Sequence, residues 1–258
     1  MANSSGISRA RIRACLTVLI CLFGPVLARA DGDIVLRPVD AHYRVLISGV
    51  PVGMEARIAV QRHPVADSAF DILFAAEHAL LHHEETSSFL WNRCQAKPYE
   101  YRYLSSGFGI RRGGQVLFDW PRLLAAGTDD VYAIPEDTVD AISLAMMARC
   151  RLARGEETFE FHVAEPQGLR LFRFRVVARE QLKTPAGTFD TIKVERLYDE
   201  RGRRTYMWAA PALEYFMIRM EHIENPLLRG RIELTGIDWP ADDPDQGNSQ
   251  ERVHAVAD

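Results

Sequence analysis

Tyr43, Val45 and Ile47 alternate with His42 and Arg44, and a little further on Met54, Ala56, Ile58 and Val60 alternate with Glu55, Arg57 and Gln61. A period of two sends successive side chains to opposite faces, so each run predicts a half-buried strand. Gly49-Val50-Pro51-Val52-Gly53 is the expected turn between them. The pattern recurs at Phe70 to Ala76 and at Tyr99 to Ser105, where Arg112-Gly113-Gly114-Gln115 is the expected hairpin turn into Val116 to Trp120. Thr184 to Glu224 is the most legible stretch. Thr184-Pro185-Ala186-Gly187 supplies a fixed φ and then a permissive one, which reverses the chain into a strand at Phe189 to Tyr198. Asp199-Glu200-Arg201-Gly202 repeats the device, and Pro211 removes a ladder donor and ends the next strand.

One segment breaks the period. After Pro135, Asp137 can cap a helix on which Val139, Ile142, Met146 and Cys150 share a face. Arg149, Arg151 and Arg154 sit toward its negative end, and Gly155 stops it. Leu123 to Ile134, just before it, reads as loop. About ten strands in hairpin order with one helix define a mainly β fold. Its sheet is large, antiparallel and curved, half or fully barrelled because sheets of this size curl rather than stay flat, with the principal α-helix packed on it.

The first 30 residues change the picture of where this fold works. Arg9, Arg11 and Arg13 precede the apolar run Ala14 to Leu27, and Ala28-Arg29-Ala30 is the small-x-small pattern of a signal peptidase site. The run is shorter than the ~20 residues a membrane span needs. Residues 1–30 are therefore read as a cleavable signal peptide, 31–240 as a single β-rich domain without a transmembrane helix, and 241–258 as a disordered acidic tail. Ile20 before Cys21 argues against lipid attachment there. Loss of the four arginines in the leader takes the net charge from −4 to −8, a poor balance for nucleic acid. Arg170, Arg173 and Arg175, and Arg201, Arg203 and Arg204, are interleaved with acids and read as a solvated sheet face. Cys94 and Cys150 remain after cleavage; in an oxidising periplasm they are either a disulfide or a buried free pair.

Candidate chemistry is sparse. In Glu77 to Glu85, EHALLHHEE, His78 and His82 would share a helix face with Glu84 or Glu85 nearby. The segment lacks the general-base Glu of a zinc-protease motif and reads as easily as strand, so surface histidines are favoured over a metal site and no cofactor is expected. Ser48-Gly49 and Ser106-Gly107 lack the strand-elbow-helix context of a nucleophile.

Tyr43 with Gly49 and Gly53, Lys97-Pro98-Tyr99, Phe118-Asp119-Trp120, Asp137 to Leu144, Thr184-Pro185-Ala186-Gly187-Thr188-Phe189-Asp190-Thr191, and Trp208 with Pro211 together resemble the bacterial exported family named domain of unknown function 3108, over about residues 37 to 239. The resemblance implies a periplasmic β-rich domain with no established activity and brings no catalytic residues. The EHALLHHEE segment is peculiar to this chain. The reading is a non-catalytic periplasmic binding or envelope protein whose curved sheet holds a hydrophobic ligand or partner segment, with a lipid or an envelope protein as partner. A structural envelope module is the alternative, and a metal-assisted hydrolase using His78, His82 and Glu84 ranks below both. Met146, Met147, Phe161, Phe216, Ile218 and Met220 are the candidate ligand-binding residues, and the helix, flanked by Gly127 and Gly155, is the expected gate. The leader predicts a mature N-terminus at Asp31. The intact mass of protein recovered from the periplasm tests this, and a membrane-bound product retaining Met1 would overturn it.

Overall fold

The computed structural model describes residues 33–240 apart from 80, 108, 199–201 and 226. The leader, the acidic tail and the turn at residues 199–201 lie outside the described residues. The elements run β1 (Val39–Ile47), β2 (Val50–Arg62), β3 (Ala69–His78), β4 (Leu81–Asn92), β5 (Gln95–Gly107), β6 (Ile110–Asp119), β7 (Leu124–Ala126), β8 (Val131–Ala133), α1 (Leu144–Ala153), β9 (Thr158–Glu165), β10 (Gly168–Thr184), β11 (Gly187–Leu197), β12 (Arg204–Ala210), β13 (Phe216–Asn225) and β14 (Leu228–Asp238). All fourteen strands form one sheet in the order β8-β7-β6-β5-β4-β3-β2-β1-β14-β13-β12-β11-β10-β9. Each strand lies beside its sequence neighbour, the first pairs with the last, and the ladder is open in the middle of the chain, between β8 and β9.

The strand count exceeds the ten or so that the pattern predicts, partly because β7 and β8 are three residues each, too short to display a period. They occupy part of the stretch expected as loop. The glycines at 113 and 114 lie inside β6 rather than at its turn. Their role is proximity: a Cβ on Gly114 would lie 2.8 Å from the Pro166 ring, and one on Gly127 would overlap the Pro166 carbonyl oxygen. Both positions belong to a seam where the two sheet edges meet without pairing. There the Thr128 amide donates to the Pro166 carbonyl at 3.0 Å and the Tyr132 hydroxyl to the Glu165 carbonyl at 2.6 Å.

The helix starts later than its cap signal implies. Val139 makes a parallel bridge to Val163 of β9: its amide donates to the His162 carbonyl and its carbonyl accepts from the Ala164 amide. A backbone engaged that way cannot also be helical. Asp140 then gathers the amides of Ile142 and Ser143 onto one carboxylate oxygen, and α1 begins at Leu144. Leu144, Met146, Met147, Arg149, Cys150 and Leu152 are all buried, which covers the helix nearly all round instead of along one stripe. It lies against the concave side of the sheet, tied to the β4–β5 turn by a disulfide between Cys94 and Cys150, whose Cα atoms are 6.0 Å apart.

Inward positions are apolar: Val39, Ala41, Tyr43 and Val45 on β1, Phe159, Phe161 and Val163 on β9, and Phe172 and Phe174 on β10 are all buried. Outward positions carry ion pairs. On β1, β13 and β14, Glu233 takes Arg44 at 2.7 Å and Arg219 at 2.7 Å, and Glu221 takes Arg231 at 2.6 Å. Burial pushes the Glu233 carboxyl up, but the hydrogen bond from Arg44 and the charges of Arg219, Arg44 and Arg231 outweigh it and hold it below the usual range. A polar exterior around an apolar interior is the reverse of the pattern of a membrane-spanning barrel.

Arg93 and Cys94 form the two-residue β4–β5 turn with φ of 44° and 65°, a conformation that costs non-glycine residues about 1–3 kcal/mol each. The disulfide closes a loop of 56 residues, for which the chain-entropy account assigns about 4 kcal/mol. Reduction, or Cys94→Ser with Cys150→Ser, is expected to lower unfolding free energy by about that amount. Denaturant titrations with and without reductant check it, and coincident midpoints would refute it.

Candidate functional site

Fourteen strands enclose more space than α1 fills, and a cavity of about 660 Å³ remains between the helix and the sheet. Its floor is α1, through Leu144, Met146, Ala148 and Leu152. Its walls are apolar side chains of β2, β3 and β9 to β13, including Ile58, Phe74, Phe159, Phe172, Phe174, Met207 and Met220. The strand pairing explains the stacking of these residues: Phe74 faces Ile58 and Met207 lies between Val194 and Met220, each in register on the inward face.

Toward the end where β9 turns into β10 the lining becomes polar, with His83, Glu85, Tyr101, Tyr103, Glu165, Arg170 and Arg196. Most of these groups are partnered. Glu85 accepts from the Tyr101 hydroxyl at 2.8 Å and lies 2.8 Å from Nε2 of His83, and Arg170 reaches Glu165 at 3.4 Å. Burial, then the charge of Glu85, pushes the Tyr101 hydroxyl far above its ordinary value, so it stays a donor. Near the helix floor, Arg149 gives Nε to the Glu214 carbonyl at 2.9 Å and Nη2 to the Glu214 carboxylate at 3.2 Å. Burial draws that guanidinium down to about 10, still charged at neutral pH.

The candidate residues divide. Met146, Phe216 and Met220 line the cavity, whereas Met147, Phe161 and Ile218 are buried in the surrounding core and do not line it. Phe161 instead packs edge-on against Phe159 and Phe174, at 5.8 and 6.0 Å between ring centroids. Arg196, Phe172 and Phe174 were not among the candidates, yet parity in the sequence marks them. In Leu169-Arg170-Leu171-Phe172-Arg173-Phe174-Arg175 a period of two places Arg170 with the two phenylalanines, and Arg173 and Arg175 on the other face. Arg170 therefore lies at the cavity mouth and Arg173 and Arg175 on the outer face, and all three are exposed to solvent, as arginines interleaved with acids were expected to be.

Of EHALLHHEE, Glu77 and His78 end β3 and Leu81 to Glu85 begin β4. As strand, it sends His82 and His83 to opposite faces. His82 lies 3.5 Å from Glu77 across the hairpin, and His83 pairs with Glu85. Among the described residues no group of three His, Cys, Asp or Glu side chains is arranged to hold a metal ion. Nor is any described helix long and apolar enough to cross a membrane.

The fold and its cavity, which is partly open to solvent, define a β-barrel-like antiparallel protein whose sheet is not closed and which carries an internal helix. The chain belongs to the family described as protein of unknown function DUF3108, whose profile matches residues 40–226. Among solved structures it is similar to a β-barrel-like protein of domain of unknown function DUF1849 from Brucella abortus. The identity is 10%, over 81% of this chain and 100% of that one, with a TM-score of 0.51, a likeness of fold alone. Two others match at TM-scores of 0.28 and 0.32: a candidate lipoprotein from Parabacteroides distasonis at 10% identity, and a candidate exported protein with a YmcC-like fold from Bacteroides fragilis at 9%. Each match covers 79% of this chain and 96% of the other. No curated protein matches the chain.

The cavity floor depends on Asp140, which is fully buried and accepts Ser87 Oγ of β4 at 2.5 Å as well as the two amides that start α1. Burial raises its carboxyl above the usual value despite those donors. A carboxyl raised in the folded state favours folding when protonated, and that contribution is lost as pH rises from the unfolded value, about 4, through the folded one. Asp140→Asn keeps the shape without the charge. Its stability relative to wild type is expected to improve between pH 4 and pH 7, read from denaturant midpoints, and a relative loss over that window would show that the anion is the favoured form.

Proposed function

We propose that this is a non-catalytic binding protein of the bacterial periplasm that holds a hydrophobic ligand between α1 and the concave face of its sheet. The observation that carries this reading is the 660 Å³ apolar cavity, a size within the usual range for small-molecule sites. The leader at residues 1–30 supports export, and the Cys94–Cys150 disulfide suits an oxidising compartment. Each buried CH₂ of an acyl chain contributes about 0.8 kcal/mol, so even a partly inserted tail binds usefully. Met146 is an adaptable wall for such a guest.

The test is titration of a fluorescent fatty-acid probe into wild type and Met146→Trp. The larger ring would occupy the lumen beside α1, so the variant is expected to bind at least about tenfold more weakly, with circular dichroism confirming that it remains folded. A folded wild type that shows no saturable binding leaves the alternative, a structural envelope module.

A further inference from the structure

The cavity is apolar along most of its wall, yet Arg196 lines it and, among the described residues, forms no ion pair with a carboxylate. Arg196 stands on the inward face of β11, in register with Phe174 of β10 and Thr205 of β12. Its guanidinium carbon lies 3.3 Å from the centroid of the Phe172 ring and 4.6 Å from that of Tyr198. Ring faces attract the charge but accept little from the N–H donors at the guanidinium edge, from which the Tyr198 hydroxyl oxygen accepts a single hydrogen bond.

The other charged groups at this end are committed. Arg170 has Glu165, and Glu85 has Tyr101 and His83; Arg149, away at the helix floor, has the carbonyl and one carboxylate oxygen of Glu214. Among the described residues no carboxylate forms an ion pair with Arg196. Burial draws its ionisation down from the ordinary value, against the raising pull of Tyr198 and Glu165, so the protein leaves this charge partly desolvated. Arginine is the side chain best shaped for two-pronged recognition of a carboxylate or phosphate.

Resting on the ligand-binding reading above, we infer that the lumen takes an anionic single-chain amphiphile, with its acidic head on Arg196 and its acyl tail running over Phe172, Phe174 and Met207 toward α1. Carboxylate and phosphate heads share the chemistry this site offers. Inward placement of the head also explains how an apolar lumen can carry a guanidinium at all: the ligand supplies the counter-charge, and the rings of Phe172 and Tyr198 hold the group flat in its absence.

The experiment measures competition against the fluorescent probe by four compounds: a long-chain fatty acid, the alkyl phosphate and the primary alcohol of equal length, and acetate. Wild type is expected to prefer at least one long-chain anion to the alcohol by about tenfold, the scale of a hydrogen-bonded charge, with acetate ineffective. Which acid wins identifies the head. Arg196→Gln should bring the anions down to the affinity of the alcohol while leaving alcohol binding unchanged, and Arg196→Lys should retain part of the preference. Retained alcohol binding by Arg196→Gln also shows that its lumen is intact. Equal binding of alcohol and anions by wild type, or an undiminished preference in folded Arg196→Gln, overturns the anionic head but leaves the hydrophobic-ligand reading standing. Failure of every long-chain compound to bind wild type removes both, and displacement by acetate alone overturns the amphiphile in favour of a bare anion.

Discussion

The width of a fourteen-stranded wrap governs this structure. About eight strands give an interior that side chains can fill by themselves, and wider sheets leave space that something else must occupy. Here the occupant is α1, and because it is surrounded rather than laid on a surface, its sequence has to be apolar on nearly every side. The one charge it buries deeply, Arg149, is tolerated only because Glu214 supplies both a carbonyl and a carboxylate to it. Glu214 itself is held in the left-handed region at φ 53° beside Tyr215 at φ 60°, so the strain of that corner is coupled to the seating of the helix.

Placing a helix inside a sheet requires that the chain enter and leave it, and the topology provides the opening where it is needed. The first and last strands, β1 and β14, pair with each other, so the ladder is continuous there and interrupted at the β8–β9 connection that contains α1. The exposed edges at that gap would be sites for unwanted pairing. Val139 occupies part of the free edge of β9, the close approach permitted by Gly114 and Gly127 brings the β9–β10 turn against β6 and β7, and β8 at the other edge is only three residues long.

Much of this was legible in the sequence because its outer face is polar and its inner face is not. Strands such as β1, β2 and β11 declare themselves by parity, and turn residues set most of their ends. What was not legible follows from the same physics. β7 and β8 carry too few residues for a period, and the glycines of β6 resemble a turn because a close neighbour and a reversal both require a missing side chain. The segment Asp137 to Ser143 carries a good capping signal that tertiary bridging to β9 overrides. For the site, parity alone could pick Phe216 and Met220 as inward. It could not say which inward residues face a void and which face α1, because that depends on where a helix of nearly uniform burial comes to rest.

A glycine on each side, Gly127 and Gly155, makes α1 look like a gate, but its attachments argue for a fixed floor. Cys150 is covalently tied to Cys94, Asp140 binds Ser87, Arg149 holds Glu214, and Arg154 pairs with Asp33. These ties reach β4, the β4–β5 turn, the corner before β13 and the segment leading to β1, so no single rotation of the helix would release them together. Gly127, moreover, is packed against Pro166, and a residue confined in that way is a poor hinge. At the opposite, polar end the hairpin from β9 to β10 contributes Glu165, Pro166, Gln167 and Arg170 to the lining and is held both by hydrogen bonds and by packing, with Pro166 against Gly114 and Gly127 and Ala164 in a buried cluster with Tyr101, Val116, Ala125 and Ile134. Among the described residues neither a disulfide nor strand pairing crosses that seam, so opening there breaks packing and hydrogen bonds but no covalent tie. On the reading proposed above, a ligand entering there would meet the polar lining with Arg170 and Arg196 before the apolar interior, an order that suits a guest entering tail first with its polar head last.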